Sequence, residues 1–293
     1  MKSTAEWQCV KIVCRPLSPI HIGWHRLGLI ERTRYYIPAR NVWGAVVAAL
    51  AGSMHAERGV PGMYTAAQKT AQESLRVTYL FPGSGDDLWR PSYESGELRY
   101  GLKKPARLEA DLVYSEASAA IAPEHFTALD GALHETEYLD PRGIHFTGYV
   151  FFREPLGLRH LAPALKFFEV GGERRYGWGA LTCDNPSRTK EAIFRQFTLL
   201  PSGGELRLSA KAPFTLPAHL IAKASHNYFQ GELEAHSGRN WGSGTDRAGA
   251  GQDVLLARLC WTPGTFCPGS DERIFTIRSQ GLWEEVDPEL NPA

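Results

Sequence analysis

Around Lys11 the apolar positions Cys9, Val10, Ile12, Val13 and Cys14 form a short run of strand character, which Pro16 and Pro19 bring to an end. The next strong signal is helical. Residues 42–50 are apolar and rich in small side chains, with Asn41 placed as an N-cap and Gly52 as a stop. A second helix is predicted over residues 64–75, and strands over 77–81 and 97–102. Residues 108–114 alternate in the manner of a strand. Further strands are predicted at 135–139 and, most clearly, at 144–152, where a turn at residues 140–143 precedes an almost unbroken run of β-formers. Residues 158–168 carry apolar positions at helical spacing, and residues 180–183 are a short apolar strand. The order is strand, helix, strands, strand, helix, strand, an elaborated β-α-β-β-α-β pattern of the ferredoxin-like or RRM-like kind.

After residue 186 the pattern changes. Strands are predicted at 194–200 and 205–210, split by a Pro-Ser-Gly-Gly turn, and a short helix within 213–224. Residues 231–251, with six glycines and Arg239, Trp241 and Arg247, read as one long loop. Strands at 254–261 and 274–278, a Pro263-Gly264 turn and Gly281-Leu282-Trp283 complete a sheet edge. The fold class expected is α+β, with two ferredoxin-like or RRM-like domains at residues 1–186 and 187–293, the second smaller and β-rich.

Between the helix at 158–168 and the strand at 180–183 lies Gly171-Gly172-Glu173-Arg174-Arg175-Tyr176-Gly177-Trp178-Gly179. Four glycines in nine residues, interleaved with two arginines and two aromatic rings, give close backbone approach, guanidinium charge and stacking faces in one place. Successive N–H groups in such a loop form an anion nest, so the set suits a phosphodiester backbone with bases attached. The plain alternative is a tight corner with solvated arginines. A dinucleotide fingerprint is excluded, because its glycines follow a strand and open a helix.

A second basic and aromatic stretch holds Arg26, Arg32, Arg34 and Arg40 with Tyr35 and Tyr36, against the single acid Glu31. It reads either as a single-stranded RNA contact or as a charged surface loop.

Composition narrows the partners. Lysine plus arginine and aspartate plus glutamate both number 32, so the formal net charge is zero. That excludes a protein that coats nucleic acid by bulk electrostatics and leaves local patches, inside an assembly, as the route to RNA. Five cysteines, at 9, 14, 183, 260 and 267, form no zinc-ligand spacing, and their odd number without a leader reads as reduced thiols in the cytoplasm. No apolar run reaches the ~18 residues of a membrane helix. Nothing in the sequence calls for a metal or another cofactor.

For catalysis, His21 and His25 are the candidate general acids or bases of an RNA cut. His21 sits between Ile20 and Ile22, a frame better suited to a structural histidine. Asp111, Asp130 and Asp140 are candidates for a metal-dependent cut by residue type alone, and His145 alternates with apolar neighbours on its strand.

Three segments together carry a family resemblance: Ser-Pro-Ile-His-Ile-Gly at 18–23, Tyr-Ile-Pro-Ala-Arg-Asn-Val-Trp-Gly-Ala at 36–45, and the strand at 144–152 with the glycine-rich loop after it. In this order they resemble the RAMP superfamily of CRISPR-associated proteins. The resemblance implies RRM-like domains that hold CRISPR guide RNA in a multi-subunit effector, or process it. The long stretch after the loop, with its Pro-Gly turn and closing Gly-Leu-Trp, is most similar to the type III subunit that caps the 5′ handle of the guide. On that resemblance the expected RNA contacts are Gly171, Gly172, Arg174, Arg175, Tyr176, Gly177, Trp178 and Gly179, joined by Arg32, Arg34, Tyr36, Arg40, Arg239 and Trp241. The expected partners are guide RNA and other effector subunits, with no catalytic residue. The alternatives are a processing endoribonuclease acting through His21 or His25, or a target-cleaving backbone subunit.

Overall fold

Strand β1 (Gln8–Pro16) lies inside an eight-stranded sheet. On one side it pairs antiparallel with the strand Ala180–Cys183, and on the other with His145–Phe152. That strand in turn pairs antiparallel with β4 (Leu75–Val77) and β5 (Phe81–Ser84). The computed structural model of the chain describes residues 6–54, 63–93, 96–202, 204–242 and 249–286. In a separate sheet the short strands β2 (Gly23–Leu27) and β3 (Ile30–Thr33) form an antiparallel pair, and β3 runs parallel beside His134–Leu139.

The helices are α1 (Ala39–Met54), α2 (Met63–Ser74), α3 (Pro105–Leu112) and α4 (Leu158–Lys166). Helix α1 connects the β2–β3 pair, through α2, to β4, and α4 leads toward Ala180–Cys183. The sheet order runs Phe167–Glu169, Ala180–Cys183, β1, His145–Phe152, β5, within the mixed α+β class expected. Alternation in β1 places Val10, Ile12 and Cys14 in the core with Val42, Val46 and Leu50 of α1 and Leu161 and Leu165 of α4.

Local differences from the sequence reading have identifiable causes. Helix α1 starts at Ala39, because the Pro38 carbonyl accepts from the Asn41 and Val42 N–H groups at 2.9 and 3.3 Å. Asn41 therefore lies in the first turn and is not the cap. The helix also runs past Gly52. Residues 108–112 are helical rather than extended: Pro105 opens α3, and Leu108 and Leu112, one turn apart, are its buried residues.

Ser187–Arg188 still pairs with β1 in the first sheet; from Thr198–Leu200 onward the chain builds a seven-stranded sheet, with no α-helix among the described residues. The helix expected within 213–224 is replaced by the strands Phe214–Thr215 and Leu220–Ile221. The expected long loop at 231–251 is mostly a hairpin, in which Leu233–Gly242 and Gly249–Trp261 pair antiparallel with two register shifts. At Gly238 the hairpin passes close to the Arg40 guanidinium, whose Cζ lies 2.6 Å from where a side chain would begin. The core of this portion is aromatic. Phe197 meets Phe214 edge-on at 5.4 Å and Trp283 at 4.9 Å, pairings worth about 0.5–1.5 kcal/mol each beyond their burial.

The two portions share one hydrophobic core, with Phe81 and Tyr149 both meeting Phe194 edge-on at 5.4 and 5.0 Å. Polar contacts add to it: Trp7 Nε1 donates to Gly204 O at 3.0 Å and Arg76 Nε to Ile277 O at 3.0 Å, while the Gly281 turn lies against Ala39 at the start of α1.

The cysteine expectation needs correction. Cys14 and Cys183, 169 residues apart, are register partners across two adjacent strands and are joined as a disulfide. Cys9, Cys260 and Cys267 are buried free thiols, and burial pushes Cys9 up to about 12. No helix among the described residues is long and apolar enough to cross a membrane.

Candidate nucleic-acid interface

The glycine-rich loop projects from the edge of the first sheet on a clamped base. Val170 donates to Gly179 O at 2.9 Å and Gly179 to Pro19 O at 2.8 Å, while Gly172 donates to His21 O at 3.0 Å. Gly171 and Gly179 have φ of +78° and +88°, and a side chain at either would collide with a backbone carbonyl, of His21 in one case and Val170 in the other. Glycine is therefore obligatory at these two positions. Between them Arg174–Tyr176 form one 3-10 turn, entered through Glu173 at φ +53°.

At the tip Arg174, Arg175 and Tyr176 are exposed, Tyr176 by 77%. Among the described residues no carboxylate pairs with either guanidinium. The nest expected from the glycines is smaller than predicted. The N–H groups of Gly172, Tyr176, Gly177, Trp178 and Gly179 are all spent on internal carbonyls, so the loop offers chiefly side chains. Two arginines against Glu173 leave the tip with net positive charge.

Trp178 turns inward and meets the Tyr138 ring edge-on at 5.0 Å. Tyr138 stacks on Tyr114 at 6.2 Å, and the Arg142 guanidinium lies 5.9 Å from the Tyr114 ring. Trp178 thus acts as the loop's anchor, and Tyr176 is the ring turned toward solvent.

The second basic stretch is built differently. Arg32 Nε lies 2.8 Å from Glu137 Oε1, and its terminal nitrogen 2.6 Å from Glu109 Oε1. Arg34 grips Glu234 through both terminal nitrogens at 2.9 and 3.3 Å and donates to the Tyr36 hydroxyl at 3.2 Å. Tyr36 is 7% exposed, and burial pushes its hydroxyl up to about 12. The expectation that Arg32, Arg34 and Tyr36 offer charge and rings outward is corrected here: the guanidinium groups are committed to carboxylates and the ring is in the core. Arg40 is half-buried over Gly238, and burial lowers its guanidinium below the usual range. The side chains of Arg239 and Trp241 lie outside the described residues.

Among the catalytic candidates, His21 is 6% exposed and its Nδ1 lies 2.7 Å from the Glu137 carbonyl. It serves as the peg on which Gly171 and Gly172 rest. His25 is exposed on β2 with its ring 4.3 Å from that of Trp24. Asp111 closes α3 and pairs with Lys103 and Arg107 at 2.8 and 3.0 Å. Asp140 is held by Arg142, which keeps its carboxyl below the usual range. Asp130 lies exposed in a turn. His145 lines an open groove of about 600 Å³ over the sheet face, together with Lys11, Arg90, Arg195, Asp86 and Asp87. Burial and Lys11 lower its imidazole. Sequence reasoning did not single out Arg90 or Arg195, which come from opposite halves of the chain and meet only in the fold.

The molecule is thus a mixed α+β protein whose first unit carries a clamped, cationic glycine-rich loop. No family model and no curated protein sequence matches the chain. Its fold is matched by a chain of the cryo-EM structure of the Type III-B Cmr-beta bound to cognate target RNA. The TM-score is 0.52 at 9% identity, over 87% of this chain and 85% of that one. A chain of the same complex bound to cognate target RNA and AMPPnP gives 0.48 at 11% identity over the same shares. The first likeness shows a shared fold along most of the chain.

Proposed function

We propose that this chain is an RNA-binding subunit of a type III-like CRISPR effector, that it holds the 5′ handle of the guide RNA, and that it does not cut. The observation that carries the proposal is the glycine-rich loop. Two guanidinium groups without a carboxylate partner among the described residues, and an exposed tyrosine, stand on a base that three backbone hydrogen bonds and two obligatory glycines hold in place. Such a tip pairs with phosphates through charge-assisted hydrogen bonds and stacks a base without needing its identity.

The fold likeness supports the choice of assembly, since the matched chain belongs to a Type III-B complex bound to target RNA. The balanced charge supports action as one subunit among several, because a neutral chain gains little from long-range attraction to RNA. In this account His21 is structural and the guide is held by positioning alone. RAMP-type RRM-like units, two in number, are the domain reading that accompanies the proposal.

Co-expression of the tagged chain with its genomic neighbours, followed by sequencing of the RNA that copurifies, tests it. Uniform short RNAs sharing one 5′ end, recovered with partner proteins at one copy of this chain per complex, support handle capping. A chain that runs alone with random RNA fragments or none contradicts it. RNA cleavage by the chain, lost in His25→Ala with binding retained, would replace it by the processing-nuclease reading.

A further inference from the structure

Away from the glycine loop, the second portion holds a cluster of different chemistry. His219 precedes the strand Leu220–Ile221, and Glu234 and His236 stand two residues apart on Leu233–Gly242. Residues i and i+2 of a strand face one side. Here they bring a carboxylate oxygen and an imidazole nitrogen to the ring of His219, with the three donor atoms within 4.8 Å of one another.

His219 is 1% exposed, and its Nε2 is turned toward Glu234 Oε1, 2.5 Å away. Its Nδ1 is fixed by the Tyr79 hydroxyl at 2.6 Å, and Glu234 is fixed by Arg34 at 2.9 Å. Outer contacts of this kind orient the ligands of metal centres and set their tautomers. A cavity of about 190 Å³, lined by His219, His236, Gly23, Trp24, Arg40 and Ser237, gives a way in and room for a solvent ligand.

We propose that His219, Glu234 and His236 form a three-ligand site for a zinc-class divalent transition metal, with the open coordination position facing this cavity. Two imidazoles and one carboxylate match the donors of such metals, which sit roughly 2.0–2.2 Å from each ligand. Magnesium and calcium require oxygen ligands, and two of the three donors here are nitrogens. Such a metal is held by neutral imidazole nitrogens and an ionised carboxylate, the donor types this cluster supplies.

The full chain, free of any histidine tag and stripped with chelator, is titrated with ZnCl2 by calorimetry and with CoCl2 by visible absorption. The expected result is one metal per chain, visible cobalt bands of a low-coordinate site, and no uptake of MgCl2. His236→Ala and Glu234→Gln, each verified as folded by circular dichroism, lose this uptake. Tyr79→Phe, which keeps every ligand, weakens zinc binding about ten- to a hundredfold. Absence of zinc and cobalt uptake by the wild-type chain overturns the proposal, as does unchanged uptake in either ligand variant. The site needs no RNA, so its failure leaves the handle-binding role untouched.

Discussion

Arg174 and Arg175 on the glycine loop and Arg32 and Arg34 around β3 look alike in sequence, each pair set among aromatic residues, and the fold treats them in opposite ways. The first pair is exposed and faces no carboxylate among the described residues. The second is sealed against Glu109, Glu137 and Glu234. The acids that neutralise Arg32 and Arg34 come from 77 to 200 residues away. A basic run in sequence therefore reports where charge is placed but not whether it is already spent. The two pairs should separate cleanly into groups that hold the protein together and groups that hold its ligand.

The largest expected effect tests the sealed pair. Arg32→Ala leaves Glu137, itself 8% exposed, without its ion-pair partner, at a cost of about 3 kcal/mol. The thermal midpoint should fall by several degrees while the folded fraction binds RNA as before. A large loss of RNA affinity with unchanged stability would break the comparison.

Next in size, Gly171→Ala forces a side chain into the His21 carbonyl at φ +78° and should cost about 2–3 kcal/mol, read by chemical denaturation. Gly177, also at positive φ but with open space around it, should tolerate the same change at about 1 kcal/mol. Equal costs at the two positions would mean that the loop base is not clamped as described.

Tyr176→Ala should weaken RNA binding by about 1 kcal/mol through lost stacking, with no change in the thermal midpoint, because its ring is 77% exposed. Trp178→Ala should instead lower the midpoint, since that ring packs on Tyr138.

The gentlest test uses pH. Burial raises the Glu285 carboxyl, but His226, Tyr228 and Arg273 outweigh it and hold it below its ordinary value of 4.5. A depressed carboxyl contributes stability that is fully present above the unfolded value and is lost as pH falls through the folded one. Stability should therefore be flat near neutrality and decline below about 4.5, the reference value for a glutamate. Glu285→Gln should shallow that decline. RNA binding should persist until the fold itself fails.

The strong elements were legible in the sequence because local pattern and tertiary demand agree there. The strand His145–Phe152, the helices α1, α2 and α4, and the strand Ala180–Cys183 are examples. The glycine loop was legible for the same reason: two of its glycines have no substitute. What stayed hidden depends on distant partners. Residues 108–112 carry both periods, and Pro105 decided for the helix. Residues 231–251 read as a loop, yet Leu233–Gly242 pairs with Gly249–Trp261, and Gly238 in that hairpin lies against Arg40, a contact no local rule reveals. Tyr36 looked like a stacking ring because burial of a tyrosine leaves no mark beside an arginine. The His219, Glu234 and His236 cluster was missed because its first member fell in a segment read as helix. The Glu-x-His pair alone has little to distinguish it.

The most direct measurement is the salt dependence of guide-RNA binding by the assembled complex, for the wild-type chain and for Arg174→Ala with Arg175→Ala. Each phosphate contact on a single strand contributes about 0.7 to the slope of log affinity against log salt. The double variant should bind about tenfold more weakly at physiological salt, with a slope lower by about 1.4 and an unchanged thermal midpoint. Identical affinity and slope in the two proteins would contradict the assignment of the glycine-rich loop as the RNA contact.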